Sequence, residues 1–371
     1  MRLTVTTGMM LLGGLALASC AKAPEPIDEA VARDARIEQI HQSYVFVDTH
    51  AHPSRFHRAN IEKIEPEELE RYRRNKMDLL VANVSSDAAF HGGYTNRDGT
   101  EVTRLQGDEV HPTKPGDGMA FTLDRLDRIF KTVSDGDAVL ADSPAAVLEA
   151  KRQGKIAVMA ALEGVDGLEG SLDNLREVQR RGVRLVQLIH FLNNDVGHKQ
   201  TEPFIDEGLT DFGREFIRES NRLGLIVDLA HANTPTIMDA LEVSTQPMIF
   251  SHTGVKARHG GARDVTDEEI RAIAAKGGLI GIWPSASLGN MAEMVAHMDH
   301  VKNLVGIDYL SIGSDLRGMD YIPEFGEEAN FLAIVDGLIA AGYTDEEIGK
   351  VMGGNFFRLW EQVAAAAAAQ S

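Results

Sequence analysis

The stretch Leu225-Ile226-Val227-Asp228-Leu229-Ala230-His231 decides the fold of this chain, because it is apolar apart from Asp228 and then finishes in an imidazole. Such a run of aliphatic residues is typical of a buried parallel strand. Amphipathic segments separate most of the similar runs. The eight predicted strands are Tyr44–Asp48, Asp78–Val84, Ile156–Leu162, Val183–Ile189, Leu225–Leu229, Pro247–Ser251, Leu279–Trp283 and Tyr309–Ser314.

The alternation of strands with helical segments predicts an α/β fold, a (β/α)8 TIM-like barrel. The segment Thr266–Lys276 illustrates the helices, since Thr266 followed by Glu269 is a capping-box signature. An open, doubly wound sheet is the competing architecture. It lacks support because no glycine-rich phosphate loop follows the first strand.

Six of the eight runs lead into side chains that can bind a metal ion or move a proton. A single histidine at a strand end is more often a hydrogen-bonded structural residue than a ligand. The carboxyl ends of barrel strands share one rim, however, so the joint pattern predicts a two-metal hydrolase site there. The residues are His50 and His52, Glu163, His190, His231, His252 and Asp315.

Length and composition limit the function classes. The 371 residues allow one large domain or two ordinary ones, and 43% hydrophobic residues supply a sizeable core. The formal net charge of -19 argues against nucleic acid or an anionic membrane surface as a partner. A solvated acidic surface accounts for that charge.

The amino terminus resembles a bacterial export signal. Arg2 precedes an apolar run, Leu3–Ala18, that has the size of a signal-peptide core and is short for a membrane span. Leu17-Ala18-Ser19-Cys20 resembles a lipobox, which implies cleavage after residue 19 and lipid attachment to Cys20. An ordinary secretory signal is the alternative. Ala21 in place of aspartate suggests, for a Gram-negative source, anchoring at the periplasmic face of the outer membrane.

We expect four segments in the chain. These are a signal peptide at 1–19, a lipid-anchored tether at 20–40, the barrel at 41–363 and a low-complexity tail at 364–371. A long polar connection, about 85–143, follows the second strand and contains His91-Gly92-Gly93-Tyr94 and a predicted helix at 119–133. Because so long a loop in a compact barrel is usually functional or disordered, we interpret it as a substrate-shaping lid.

Several segments together resemble the membrane (renal) dipeptidase family of the amidohydrolase superfamily. The resemblance runs from about Tyr44 to Glu361 and matches in both order and spacing. Its segments are Asp48-Thr49-His50-Ala51-His52, Leu162-Glu163-Gly164, Gly208-Leu209-Thr210-Asp211-Phe212-Gly213, Asn221-Arg222-Leu223-Gly224, Asp228-Leu229-Ala230-His231, Ile249-Phe250-Ser251-His252, Ala262-Arg263-Asp264-Val265 and Gly313-Ser314-Asp315.

The resemblance implies a zinc dipeptidase with two Zn²⁺ per chain. Glu163 would bridge the ions, His50 and His52 would complete one site, and His231 and His252 the other. His190 would polarise the substrate carbonyl, Arg263 would bind the C-terminal carboxylate, and Asp315 would pass a proton from a metal-bridging water to the leaving amine. The substrate would be a dipeptide with a free C-terminal carboxylate, with a D-residue at that end left open. Family members often form homodimers.

Elementary chemistry supports these roles independently. Two cations lower the pKa of a shared water, and a nearby free carboxylate can move its proton. The planar fork of Arg263 suits a carboxylate, although a surface salt bridge is its ordinary alternative. For His190 the alternative is a role in orienting a metal ligand.

One position departs from the family pattern, which is His-x-Asp where this chain has His50-Ala51-His52. Because His-x-His occurs at this strand end in many amidohydrolases, His52 can still serve as a ligand. The neutral imidazole makes the ligand set less negative, so we expect the first ion to be held less tightly or a different ion to be favoured.

Four other functions are alternatives to a dipeptidase. Hydrolysis of N-acyl amino acids or another small amide remains open, since it needs the same metals and carboxylate contact. Glu163 argues against a one-metal deaminase, and its place on the third strand argues against a lactonase bridged by a modified lysine. The intact set of acids and imidazoles argues against a non-catalytic binding lipoprotein.

Overall fold

The computed structural model describes residues 29–55, 61–90, 103–106, 109–112 and 114–369. Eight parallel strands form a nearly closed barrel, which confirms the predicted TIM-like fold. A short strand, β5, adds to the edge of β6, and β3 and β4 form a separate antiparallel hairpin. The strands are β1 (Val47–Ala51), β2 (Leu79–Ser85), β3 (Thr103–Gln106), β4 (Glu109–Pro112), β5 (Val139–Leu140), β6 (Ala157–Glu163), β7 (Val183–Gln187), β8 (Ile226–Asp228), β9 (Ile249–Thr253), β10 (Leu279–Ile282) and β11 (Leu310–Ile312).

Helices follow most strands and cover the outside of the barrel. Ser143, Thr210 and Asn290 cap three of them by accepting a backbone N–H. The capping box predicted at Thr266 and Glu269 is present. The helices are α1 (Glu29–Ser43), α2 (Pro66–Arg74), α3 (Asp117–Ser134), α4 (Pro144–Arg152), α5 (Leu172–Arg181), α6 (Asp211–Leu223), α7 (Thr234–Val243), α8 (Asp267–Ala275), α9 (Met291–Val305), α10 (Phe331–Ala340), α11 (Asp345–Gly349) and α12 (Asn355–Ala368).

The barrel closes where β1 meets the segment that follows β11. The Asp315 N–H donates to the His50 carbonyl at 2.8 Å, and the His52 N–H donates to the Leu316 carbonyl at 2.8 Å. The buried carboxylate of Asp48 joins the same two segments, since it accepts from the Ser314 backbone N–H at 2.8 Å and from the Ser314 hydroxyl at 2.6 Å. This junction, which we call the seam, ties the first strand to the last.

Apolar side chains fill the lower barrel and leave the polar groups to the upper rim. Apolar residues of several strands pack together there, among them Val47, Met159 and Ile226. Helix α12 closes the lower end with Phe356, Leu359, Trp360 and Val363, all of which are buried. Burial of this layer supplies the hydrophobic free energy that holds the strands in register beneath the rim.

The first predicted strand was placed too early. Strand β1 is Val47–Ala51 and not Tyr44–Asp48, so His50 lies inside the strand. Burial misled the prediction, because Phe46 is fully buried without belonging to a strand. Its N–H donates to the Asp78 carboxylate at 2.9 Å. Glu163 and His252 likewise lie within their strands.

The predicted tether at 20–40 is too long at its carboxyl end. Residues 29–43 form α1, in which Ile37 and Ile40 are buried, and Arg33 pairs with Asp336 of α10. These contacts make α1 part of the packed domain. The predicted signal peptide, Cys20 and the start of the tether lie outside the described residues, and residues 364–368 of the predicted tail continue α12.

The long connection after β2 contains more regular structure than the sequence indicated. It includes a short 3-10 helix at Ser86–Phe90, the β3–β4 hairpin and α3, which matches the helix predicted at 119–133. The segment His91-Gly92-Gly93-Tyr94 lies outside the described residues. Among the helices of the described chain, none is both long and apolar enough to cross a membrane.

We predict that Gly281→Ala destabilises the barrel by about 1–3 kcal/mol, because a Cβ at this position of β10 would overlap the Ser251 carbonyl oxygen of β9. Chemical denaturation measures the free energy of unfolding. Ser311→Ala is the matched control. Ser311 pairs with Gly281 in register, and its buried hydroxyl has no hydrogen-bond partner among the described residues, so its removal should cost almost nothing. Equal stabilities of the two variants would contradict the prediction.

Candidate metal centre

All eight side chains that the sequence assigned to the site lie at one end of the barrel. His50 and His252 occupy β1 and β9, Glu163 is the last residue of β6, and His52 follows β1 directly. Three others stand at the third position after a strand, and Arg263 lies in the loop between β9 and α8. Those three are His190 after β7, His231 after β8 and Asp315 after β11.

The carboxylate of Glu163 is the centre of the cluster. It is 1% exposed and accepts a hydrogen bond from the Ser85 hydroxyl at 2.9 Å. Five imidazole nitrogens surround it, and they come from four different strands or the loops that follow them. The Nε2 atoms lie 3.3 Å (His50), 3.1 Å (His52), 3.4 Å (His190), 3.5 Å (His231) and 4.0 Å (His252) from its oxygens.

Glu163 carries a negative charge in this setting. Burial alone would raise the pKa of its carboxyl, but the surrounding imidazoles, above all His190 and His52, bring the pKa well below its usual range. A buried anion among nitrogen ligands is an environment that attracts cations.

His231 and His252 are held as neutral imidazoles, the form that binds metal ions. Burial is the main reason that the pKa values of both fall well below their usual range, and nearby positive groups, including Arg263, add to the effect. Their Nε2 atoms lie only 3.1 Å apart. The Nε2 atom of His50 is buried without a hydrogen-bond partner among the described residues. Lone pairs in these positions fit divalent ions.

The geometry groups these ligands into sets in which one atom from each residue lies within 4.8 Å of the others. Histidine nitrogens and carboxylate oxygens are ligands that zinc and similar ions prefer. The residues present therefore fit a metal centre. The sets are His50 with His52 and Asp315, Glu163 with His231 and His252, and His50 with Asp228 and His252.

His52, which departs from the family pattern, points into the centre. Its Nδ1 atom lies 3.1 Å from the Asn83 carbonyl oxygen, which can only accept, so Nδ1 carries a hydrogen. Its Nε2 atom faces Glu163 and also Asp315, whose Oδ1 atom is 3.4 Å away. Burial acts to lower the pKa of His52, but these two carboxylates raise it well above the usual range. The charge of the rim thus favours a cation at this position.

Asp315 is fixed by its backbone and by a close neighbour. Its φ of 48° lies in the left-handed region, which a non-glycine residue adopts at a cost of about 1–3 kcal/mol. Gly318 approaches the carboxylate so closely that a Cβ there would overlap it. His231 is also left-handed, with a φ of 68°. Backbone strain therefore coincides with two residues of the cluster.

His190 is oriented by a carboxylate that the sequence did not single out. Asp87 accepts from His190 Nδ1 at 2.7 Å and from the Phe191 N–H at 3.1 Å. Burial opposes protonation of His190, but Asp87 and Glu163 outweigh it and raise its pKa. Asp87 lies in the 3-10 helix at the start of the long connection, so only tertiary structure brings it to the site.

Arg263 is a partly buried cation in the cavity wall, and no carboxylate of the described residues lies within ion-pair distance of it, so it does not form a surface salt bridge. Its guanidinium donates to the Gln200 side chain and, at 3.1 Å, to His252 Nε2, and it lies 5.4 Å from the Trp283 ring centroid. Burial lowers the pKa of Arg263 to about 10, which still leaves it charged at neutral pH. It can therefore bind an anion beside the metal ligands.

A cavity of about 900 Å³ lies above the cluster and is large enough for a small peptide. Its walls combine the centre with residues that the sequence analysis did not assign. These are Arg55, Ser85, Asp87, Ala88, Phe191, Thr201, His259, Gly261, Ala262, Asp264, Trp283, Ser285, Ser287, Arg317, Gly318 and Met319. One further buried polar group could have been identified from the sequence. Asp228 is a carboxylate within an otherwise apolar predicted strand.

Solved structures share this fold. The probable dipeptidase PvdM from Pseudomonas aeruginosa superposes with a TM-score of 0.75 and 19% identity over 92% of this chain and 100% of that one. A metallo peptidase from Rhodobacter sphaeroides, liganded with a phosphinate mimic of the dipeptide L-Ala-D-Ala, gives a TM-score of 0.71 and 18% identity over 86% and 99% of the two chains. At these identities the likeness establishes the fold alone.

Sequence comparison identifies the family. Dipeptidase tcpJ of Claviceps purpurea (strain 20.1) is 34% identical over 272 residues, which are 71% of this chain and 64% of that protein. The chain thus matches less than two thirds of this relative's length. The profile described as Membrane dipeptidase (Peptidase family M19) matches residues 34–371. The chain, whose barrel mouth gathers five imidazoles around one glutamate, belongs to the membrane dipeptidase family, peptidase family M19.

Proposed function

We propose that this protein is a metal-dependent dipeptidase that hydrolyses dipeptides with a free C-terminal carboxylate. The observation that carries the proposal is the convergence of five imidazoles on the buried Glu163 carboxylate, beside a partly buried and charged Arg263. Metal ligands and an anion-binding group thus line one cavity of dipeptide size. Family membership supports the same reaction.

Two divalent ions, for which we propose Zn²⁺, would share Glu163. His50 and His52 would hold one ion, and His231 and His252 the other. When bound, such ions supply Lewis acidity and a water of lowered pKa. Two of the ligand sets support this assignment: one joins Glu163 with His231 and His252, and the other joins His50 with His52 and also includes Asp315.

The remaining side chains bind and orient the substrate. Arg263 presents a planar donor fork to the terminal carboxylate, and Gln200 and Trp283 hold the fork in place. Asp87 binds the Nδ1–H of His190 and leaves its Nε2–H to donate to the carbonyl oxygen of the scissile bond. These contacts would fix the peptide bond over Glu163.

Asp315 is the proposed proton carrier. Its carboxylate lies in the cavity wall, 9% exposed, with Oδ1 3.4 Å from His52 Nε2. It would accept a proton on the carboxylate and release it to the amine that leaves. The left-handed backbone and Gly318 hold the carboxylate in place for this transfer.

A D-residue at the C-terminal end remains part of the proposal. The Rhodobacter sphaeroides structural neighbour is liganded with a mimic of L-Ala-D-Ala. N-acyl amino acids present the same amide and carboxylate and form the alternative substrate class. A substrate panel separates the two, because only a dipeptide has a free amino group.

To test the proposed function, we would remove metal with a chelator and restore it with Zn²⁺, then assay a dipeptide, its C-terminal amide and the matching N-acyl amino acid. We expect no hydrolysis without metal, recovery with about two ions per chain, and at least about tenfold lower kcat/KM for the amide, because a charge-assisted contact is lost. Equal kcat/KM values for the dipeptide and its C-terminal amide would contradict the proposed role of Arg263 in binding the terminal carboxylate.

Arg263→Met serves as the matched variant for that panel. It keeps a long side chain against Trp283 but has no charge, so the acid and the amide should become equally poor substrates. Faster hydrolysis of the N-acyl amino acid than of every dipeptide would assign the alternative class. A protein that hydrolyses dipeptides without any metal would contradict the proposal as a whole.

We predict that His52→Asp tightens binding of the first ion roughly tenfold, because a carboxylate adds a negative charge beside a divalent cation. Competition with a chromophoric chelator measures the two dissociation constants, and thermal unfolding monitors the fold. In the unchanged protein the two sites should differ in affinity. Two equally tight zinc sites, unaffected by His52→Asp, would show that the histidine has no such effect.

We also propose that the chain is exported, loses residues 1–19 and is lipid-anchored through Cys20 at the periplasmic face of the outer membrane. The lipobox-like sequence supports this, and the packed domain begins only nine residues later, at Glu29. Cys20→Ser should abolish the lipid mass and release the protein from the membrane fraction. Intact-mass measurement of the detergent extract checks this, and an unmodified Cys20 in a processed chain would contradict it.

A further inference from the structure

One carboxylate lies beneath the rim, below the cluster that surrounds Glu163. Asp228, the last residue of β8, is fully buried. Its Oδ1 atom accepts from the backbone N–H groups of Ala230 and Ser251, each at 3.0 Å. Its Oδ2 atom has no hydrogen-bond partner among the described residues and lies 3.9 Å from His50 Nδ1. A buried carboxylate oxygen without a donor is costly, so this atom calls for an explanation.

The hydroxyl of Ser251 lies at the same level. Its Oγ atom is 2.8 Å from His252 Nδ1 and 3.3 Å from His50 Nδ1. Asp228 and Ser251 therefore face the inner nitrogens of two histidines whose outer nitrogens face Glu163. His50 lies in β1 and His252 lies in β9.

We propose that Asp228 is a positioning residue for the metal centre. Ser251 receives the Nδ1–H groups of His50 and His252, and the Asp228 carboxylate acts through its charge, 3.9 Å from His50 Nδ1. Together they fix both rings in the tautomer that turns the Nε2 lone pair toward Glu163. The inference rests on the proposed function, since it concerns His50 and His252 as metal ligands. Asp228 contacts neither substrate nor ion.

The chemistry of the donors and acceptors supports one arrangement. The Asp228 Oδ2 atom is too far from His50 Nδ1 for a hydrogen bond, but its negative charge 3.9 Å away favours a hydrogen on Nδ1, which Ser251 Oγ at 3.3 Å can accept. The Ser251 oxygen accepts from His252 Nδ1–H, and its own hydrogen is then free to donate to the Asp228 carboxylate. Both Nε2 atoms are left without hydrogen, as ligation requires.

A third cation under the rim is the competing reading of the same atoms. One atom each from His50, Asp228 and His252 lies within 4.8 Å of the others. An imidazole that binds an ion through Nε2 retains its hydrogen on Nδ1, however, and cannot use both nitrogens without losing that proton. The ligand role of the two histidines toward Glu163 therefore favours protons beneath the rim over a metal ion.

Asp228→Asn tests the proposal through metal affinity. The amide carries no negative charge, so it no longer favours a hydrogen on His50 Nδ1. We expect the affinity for Zn²⁺, measured by chelator competition on the full chain, to fall about 10–100-fold at the ion held by His50. Asp78→Asn is the matched control. Asp78 is also a buried carboxylate that accepts a backbone N–H, but it lies just before β2 at the opposite end of the barrel. It should lower the melting temperature without changing the affinity for Zn²⁺.

A second measurement does not depend on either variant folding. Long-range ¹H–¹⁵N spectra of the metal-free protein report which ring nitrogen carries hydrogen, and His50→Gln and His252→Gln assign the two signals. We expect Nδ1–H for both rings. An Nε2–H tautomer for both rings, an unchanged zinc affinity in Asp228→Asn, or three tightly bound ions per chain would each overturn the proposal. A protein that binds zinc as expected but hydrolyses no dipeptide would instead refute the proposed function alone.

Discussion

A buried carboxylate, Glu163, sets the main constraint on this molecule. Removing a carboxylate from water is costly unless positive or polarised groups replace its hydration. Here they are one hydroxyl and five imidazoles, carried by β1, β7, β8 and β9 or by the residues that follow them. These groups are far apart in the sequence, and only the folded barrel brings them around Glu163. The barrel is therefore what makes a charged Glu163 tolerable, and the charge is what makes the rim attractive to cations.

The seam, where β1 meets the segment after β11, is a second constraint, because it fixes the relative positions of residues in the site. Asp48 accepts from both the backbone N–H and the hydroxyl of Ser314, and the Tyr72 hydroxyl donates at 3.0 Å to Oδ2, the oxygen that also accepts the Ser314 hydroxyl. Burial raises the pKa of Asp48 to about 6 despite these hydrogen bonds. Since His50 and Asp315 lie one or two positions beyond these contacts, the seam fixes a proposed metal ligand and the proposed proton carrier relative to each other.

The sequence was sufficient for the barrel and for the convergence of the eight side chains, because apolar periodicity and polar strand ends are local patterns. It was insufficient where burial has a different cause. Val45 and Phe46 are buried although they precede β1, so the predicted first strand begins three residues too early. Helix α1 is weakly amphipathic, and ion pairs such as Arg33 with Asp336, distant in sequence, fix it to the domain. Asp87 reaches His190 only through the fold of the long connection.

The order of the strands along the chain has a consequence for assembly. The nitrogen ligands of β1 are synthesised first, and Asp315 follows the last strand, some 265 positions later in the numbering. The proposed ligands of β1 are therefore tied to the end of the barrel only after the final strand has been made and has paired with the first. Binding of the proposed ions would then follow closure of the barrel, and it would stabilise only molecules in which the first and last strands have paired.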